Sequence, residues 1–426
     1  MLSKPAEKNI MKLVAKLREE FSFVRGNYLI LVVSWIFMDF ANELPGLYYG
    51  PWVVDNLHAS PEILGFIGFA GIIALAAVQF PGGYLADKFG RRWLISTLTF
   101  GVALSNLFYV FAPSWEWILV GAVIANLCLL YQPALMAMIS DSTPVEKRGM
   151  AFSITTLIAN VATTPAPIVA GIIVATFTRP VGMRLAYGIV VILYLSAAAL
   201  RSKLTETIKT SEEIRPRDLL ASYPQAVRES FAVWKKIPRS VFFLFIANLI
   251  VTFAISLGQL FFSVYAVEGA KSVLHISEIG WALVSTALFL TMILVSIPVG
   301  KAIDKIGRKI PLLLSLVVFV PGILLFVYGD LTRLFFAMPL VGLGQLLFFS
   351  SFASLQTDLV PRENRAKVIG FSQFVNYVLM ALGYLAGGII YTASPQLPFL
   401  LMLTALAPSF LIILFLVHEP EKREAG

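Results

Sequence analysis

Two carboxyl residues, Asp39 and Glu43, stand four positions apart in WIFMDFANELPGLYYGPWVVD, a run that is otherwise almost entirely apolar. On a helix that spacing puts both on one face. An isolated Asp at the centre of a bilayer costs about 2.5–3.5 kcal/mol on insertion scales, so acids retained there face a cavity or a partner, not lipid. Two carboxylates this close in poorly solvated surroundings titrate as a coupled pair, which is the chemistry of loading and releasing a proton. Pro45 and Gly46 follow at once and permit a kink beside the site. Hydrogen-bonding groups for a solute cavity are offered by Asn42, Gln132, Asn160, Asn248, Gln259, Gln345 and Asn376, and the many Phe and Tyr offer apolar, cation-stacking walls. No Lys or Arg falls near the middle of any long apolar run. That turns the expectation away from anionic solutes and toward neutral or cationic ones.

The elements that must position these groups are long and apolar. With 58% hydrophobic and 14% charged residues in 426, the chain has too few polar side chains to cover a soluble globule, and reads as an all-α integral membrane protein. Apolar runs at 28–54, 63–84, 93–112, 117–140, 151–176 and 183–201, and again at 241–267, 277–299, 310–329, 333–356, 368–391 and 397–417, are each long enough to span a bilayer of about 30 Å. The expected organisation is an amphipathic segment at 1–26, a six-helix bundle at 27–201, a linker at 202–239, a second bundle at 240–418 and a tail at 419–426. Within the first segment Ile10, Leu13, Val14, Leu17 and Phe21 recur at helical spacing, as do Leu219, Leu220, Tyr223, Val227, Phe231 and Trp234 in the linker, so both suggest helices lying at the membrane surface.

Charge sets the orientation. The termini and every second loop carry 29 of the 33 Lys and Arg, whereas the opposite loops hold only Arg179, Arg184, Lys271 and Arg333. The basic side is expected to be cytoplasmic, with both termini and the linker inside. A net charge of +8 arranged this way meets lipid headgroups, not nucleic acid. The single cysteine, Cys128, excludes an intrachain disulfide, no metal-ligating constellation occurs, and no cofactor is expected. The N-terminal stretch, rich in Lys and Glu, has no small-residue cleavage site and is not expected to be removed.

The two halves are copies. GYLADKFGRR at 83–92 returns as GKAIDKIGRK at 300–309, so Gly83, Asp87, Gly90 and Arg91 recur as Gly300, Asp304, Gly307 and Arg308, each displaced by 217, while Arg92 is matched by Lys309. At the same offset Asp141 and Arg148 recur as Asp358 and Arg365, and His58 as His275. Gly at these turns suits positive φ or close backbone approach. Asp accepts from Arg or from free helix amides, and Arg meets anionic headgroups. The acids of the first apolar run are not copied: Thr252 stands opposite Asp39 and Ser256 opposite Glu43, so the fold alone does not demand them.

Two such turns, placed after the second and the eighth span of a twelve-span chain, resemble those of the major facilitator superfamily, and the resemblance covers the whole chain. It implies two six-helix bundles that alternate access to a site between them and carry out no covalent chemistry. It also implies that Asp87 braces the cytoplasmic gate against neighbouring Arg and a helix end of the other half, and that the loops at 141–148 and 358–365 share in that gate. The fifth span carries AxxxAPxxAG at 162–171, similar to the antiporter pattern of the superfamily with Ala at three Gly positions; small residues at a helix interface explain it equally well. Trp117 stands where drug antiporters commonly carry an Arg.

The expected activity is secondary transport by a monomer, probed by two alternatives: proton-coupled efflux of a cationic or neutral lipophilic solute, or proton symport of a neutral solute such as a sugar or nucleoside. Sodium could replace the proton. A membrane enzyme or an ATP-driven pump is disfavoured, since the sequence holds neither a catalytic cluster nor a Gly-rich phosphate loop. The gate reading is testable. Asp87→Asn should slow transport while leaving solute affinity and expression largely unchanged, because it weakens a contact made in one state only. Asp304→Asn should be milder; near-normal turnover in Asp87→Asn would remove Asp87 from the mechanism.

Overall fold

A computed structural model describes residues 21, 23–144, 147–208, 237–360 and 365–419. The two surface helices expected before residue 26 and in the linker, and the tail beyond 419, fall outside them, as do the side chains of Gly83, Asp87, Arg148, Asn160 and Arg365, which are located by backbone alone. The helices are α1 (Gly26–Gly46), α2 (Pro61–Phe89), α3 (Arg91–Ser105, prolonged by Leu107–Val110), α4 (Trp115–Cys128, prolonged by Gln132–Asp141), α5 (Arg148–Thr163, resumed as Ala166–Phe177), α6 (Arg179–Arg201), α7 (Arg239–Gln259), α8 (Glu278–Ile306), α9 (Lys309–Val327), α10 (Leu331–Leu359), α11 (Arg365–Ala393) and α12 (Leu397–Leu416). Eleven are long and apolar enough to cross a membrane, and the broken α5 supplies the shorter apolar stretch Val161–Phe177. This is the expected twelve-helix, all-α membrane architecture.

The interruptions follow from proline. Pro165 and Pro167 remove backbone donors where α5 breaks, and Pro133 opens the second part of α4 after the tight turn Leu129–Tyr131. Pro45 ends α1, which continues through Tyr49–Pro51 into the wide turn Trp52–Asn56.

The duplication is written into the backbone. Gly90 and Gly307, which separate α2 from α3 and α8 from α9, adopt φ of 92° and 93°, a region that favours Gly. His58 and His275 both take positive φ, 55° and 48°. Each lies two residues before a serine, Ser60 or Ser277, whose hydroxyl accepts from the first turn of α2 or α8. Gly83 and Gly300 depart from the expectation: both sit inside helices, and a Cβ at Gly300 would meet open space, so no turn requires a glycine there.

The bundles meet at the end opposite those duplicated turns. There α2 packs on α11, the second part of α5 on α8, and the extension of α1 on Phe262–Ala266, the short helix that follows α7. Small residues allow the approach. A Cβ at Gly388 would lie 2.6 Å from the Pro61 carbonyl oxygen, one at Gly65 2.4 Å from that of Tyr384, and one at Gly171 2.7 Å from Ala282. Gly383 and Gly387 instead pack against α7 within their own bundle.

Gly388→Val should therefore force α2 and α11 apart, an overpacking that costs about 1–3 kcal/mol. Spin labels at the exposed positions of His58→Cys and His275→Cys, in a Cys128→Ser background, should report a longer, broader distance distribution in the Val variant. An unchanged distribution would mean that the helices accommodate the side chain without opening.

Candidate functional site

α1 brings Asp39 to the wall of a cavity of about 1640 Å³ that begins near Tyr49 and Tyr109 and runs past Gln79 to Ser140 and Gly370, toward the end of the duplicated turns. Asn42 and Gln132 line it too, and Asn42 accepts a 2.6 Å hydrogen bond from the Tyr194 hydroxyl. The aromatic wall is ordered: Tyr109 stacks on Tyr187 with ring centroids 4.5 Å apart. Glu43 lies one turn beyond Asp39 and interacts with it electrostatically, but it lines neither this cavity nor the one in the second bundle. A shared helical face does not guarantee a shared cavity: Asn42 and Pro45, on either side of Glu43, line the wall and Glu43 does not.

Asn248, Gln259, Gln345 and Asn376 line that second cavity, of about 660 Å³, together with Thr252, Gln356 and Gln373. Asn376 Oδ1 accepts from Asn248 Nδ2 at 2.9 Å and from Thr252 Oγ1 at 3.3 Å. Thus the residues opposite each other in the two copies, Asp39 and Thr252, both reach cavities, one charged and one neutral. The cavity residues expected from sequence are split between two pockets.

Sequence reading missed Arg201, counted there with the basic linker. Its side chain instead turns into the first bundle and is 0% exposed. Nε donates to Ser34 Oγ at 2.9 Å, Nη1 to Thr99 Oγ1 at 3.0 Å, and the guanidinium lies over the Tyr131 ring at 5.3 Å. It lines the same cavity as Asp39. No Lys or Arg stands near the middle of a span, as the sequence has it, yet the long side chain of Arg201 on the last turn of α6 reaches back into the bundle where residue counting places only a helix end.

At the duplicated turns Arg91 pairs with Asp141, and Arg308 Nε with Asp358 Oδ2 at 3.0 Å, so both copies tie the start of their third helix to the end of their fourth. Glu206 accepts from the backbone N–H groups of Arg91 and Arg92 at 3.2 and 3.0 Å; Glu419 does the same for Arg308 and Lys309. These carboxylates neutralise the positive ends of α3 and α9. Arg92 donates to the Ser202 carbonyl at 3.1 Å and Lys309 to that of Leu414 at 2.8 Å. All of these contacts lie within one bundle or its flanking chain.

The opposite end is closed between bundles. Arg179, at the start of α6, donates to Asp55 Oδ2 at 2.8 Å, to Glu278 Oε1 at 2.9 Å and to the Glu268 carbonyl. Asp55 also accepts from Ala270 N at 3.1 Å, and the Tyr48 hydroxyl donates to the Glu278 carbonyl at 2.7 Å. A guanidinium bridging two carboxylates from two bundles is a charge-assisted clamp.

A family profile described as Major Facilitator Superfamily matches residues 31–272 and 250–426. The chain belongs to that superfamily. Its two bundles, each with a cavity of its own, carry that family's fold. Among curated relatives it resembles the tetracycline resistance protein, class H, of Pasteurella multocida, 33% identical over 143 residues, which is 33% of this chain and 35% of that one. It also resembles the niacin transporter NiaP of Acinetobacter baylyi, 31% identical over 98 residues, 23% of this chain and 22% of that one. The chain thus spans about a third or less of the length of these relatives. Its fold matches that of the nucleoside transporter NupG, with a TM-score of 0.66 at 15% identity over 92% of this chain and 98% of that one. A bacterial homologue of the human lysosomal transporter Spinster, described as inward-facing and unoccupied, matches with a TM-score of 0.68 at 16% identity over 93% and 95%.

Removing the clamp should release this end of the transporter. Arg179→Gln leaves two partly buried carboxylates without their cation, a loss of about 1–3 kcal/mol. The label pair of the preceding section should then show a larger population of long distances, and labelling of the cavity from that side should speed up. A distribution identical to that of the parent would show that packing alone keeps the end closed.

Proposed function

We propose that this transporter exports a small neutral or cationic solute in exchange for protons, with Asp39 as the group that alternately holds the proton and the solute's basic part. The observation that carries the reading is the placement of Asp39 on the central cavity with its Oδ2 buried and without a hydrogen-bond partner, opposite an uncharged Thr252 in the second copy. An acid not required by the fold, partly buried on a cavity wall and able to receive a proton or a cation, is the part an exchanger needs. The resemblance to a tetracycline resistance protein supports the direction of transport. Glu43, one turn away, serves as the neighbouring carboxyl that shares the proton.

In the cycle we propose, the bundles at 27–201 and 240–418 rock as bodies in the cell membrane, with both termini cytoplasmic. The cavity open toward the basic, cytoplasmic end admits solute, which displaces the proton from Asp39. The clamp at Arg179 must then break, while the turns bearing Asp87 and Asp304 come together. Ion pairs inside each bundle, Arg91 with Asp141 and Arg308 with Asp358, keep the bodies rigid as the ends exchange roles. A monomer suffices for the cycle. The second cavity, rich in Asn and Gln side chains, favours one other reading, proton symport of a neutral hydrogen-bonding solute.

Purified protein in liposomes with an internal pH dye tests both. Tetracycline added to proton-loaded vesicles should raise the proton flux in the exchange reading and leave it unchanged in the symport reading. Asp39→Asn should reduce gradient-driven flux at least tenfold while solute still equilibrates passively; Glu43→Gln should do so more weakly. Full gradient-driven transport in both variants would make the acids structural and place coupling elsewhere.

A further inference from the structure

Arg201 is the strongest charge that the proposed exchange leaves without a task. Burying a guanidinium is costly unless a counter-charge or a full set of acceptors receives it. Here the acceptors are two neutral hydroxyls, Ser34 and Thr99, and the ring of Tyr131, while Nη2 is buried with no hydrogen-bond partner. Those contacts fix the orientation of the planar group from α1, α3 and α4. The remaining nitrogen belongs to a residue of the cavity wall, with Asp39 Oδ2, also unpartnered, on the same wall. The two charges interact without making a salt bridge. Hydroxyls position a guanidinium without neutralising it, and because Nη2 is fully covered in this structure a guest reaches it only after a small side-chain shift at the wall. The second copy has Leu414 where the first has Arg201, at the 213-residue offset that also relates Thr252 to Asp39 and Glu419 to Glu206. Neither charge of the pair is therefore inherited from the duplicated scaffold.

We propose that Arg201 is an anion-binding group of the central cavity, so that the transporter accepts zwitterionic aromatic solutes whose carboxylate or enolate docks at Arg201 while the cationic part lies at Asp39. This rests on the role given to Asp39 above and adds a second recognition point. Trp35, which lies between Ser34 and Asp39 along α1, and Tyr194, hydrogen-bonded to Asn42, line the same cavity and offer aromatic surface to a flat ring beside the two charges; the Tyr109–Tyr187 stack lies farther along, next to Tyr49. A lone cation leaves Nη2 unsatisfied; a zwitterion satisfies both orphaned atoms at once. A solely structural role for Arg201, tying α6 to α1 and α3, makes no distinction between solutes.

The probes are 1-methylnicotinate and 1-methylnicotinamide, which share a permanently cationic ring and differ in carrying a carboxylate or a neutral amide. Binding to purified full-length protein is read by quenching of tryptophan fluorescence. The carboxylate should bind about tenfold more tightly or better, the increment expected of a charge-assisted hydrogen bond. Arg201→Gln should erase that ratio and leave amide binding intact, and Arg201→Lys should keep part of it. Should Arg201→Gln not fold, Asp39→Asn gives an independent reading: loss of the internal carboxylate should widen the ratio by weakening the amide more than the carboxylate. A carboxylate that confers no advantage, whether both probes bind equally or neither binds, overturns the anion site. Failure of the exchange reading shows separately, as amide binding indifferent to Asp39→Asn.

Discussion

An ionised group in a membrane-spanning protein must be brought to water, to a counter-charge or to a cavity, because hydrocarbon provides no acceptor for it. Nearly everything about this transporter follows from where that constraint is met. At one end, Arg179 draws Asp55 and Glu278 together across the bundle boundary. At the other, Arg91 and Arg308 pair with Asp141 and Asp358 inside their own bundles. Between them, Asp39 and Arg201 face the cavity and are left incompletely satisfied. The first set ties the two bundles together, the second ties helices within each bundle, and the third is the pair on which the proposed solute recognition rests.

This division explains how one duplicated sequence gives a working asymmetry. The paired turns, with positive φ at Gly90 and Gly307, fix the geometry of the second and third helices of each copy, and the ion pairs stiffen it. Such local devices are tolerant of what the helices present inward. One copy therefore keeps a charged wall and the other an amide-rich wall, with Thr252 and Leu414 where the first copy has Asp39 and Arg201. The glycines that admit close packing, Gly65, Gly171 and Gly388, lie where the bodies touch, so the closed end combines dispersion with charge.

The clamp is also a natural point of control. Its three ionic partners come from the first, sixth and eighth helices, and its carbonyl acceptor at Glu268 from the connection before α8. None of these three helices can move from this end alone without breaking a charge-assisted bond. Each such bond is modest in solvent and stronger where exposure is low, and the side chains here are 11–22% exposed. That suits a contact which, in the proposed cycle, must hold and then yield.

Apolar runs of membrane-spanning length, the 217-residue repeat and the alternation of basic loops were legible in the sequence, and with them the helix count, the superfamily and the candidacy of Asp39. Those features are local or periodic, and hydrophobic length and charge placement act on each segment separately. Helix packing, and not any local pattern, sets which distant side chains share a space: that Glu43 lines neither cavity, that Asn248 and Asn376 belong to a different pocket from Asn42, and that Arg179 spans the bundles. Arg201 shows the limit most plainly. By position it ends a helix among linker charges, but its long stem carries the guanidinium inward to hydroxyls on α1 and α3, 167 and 102 residues away in the chain. Hydropathy registers where a Cα lies along a span; the reach of a flexible side chain, and the partners that three-dimensional packing sets within that reach, decide where its charge resides.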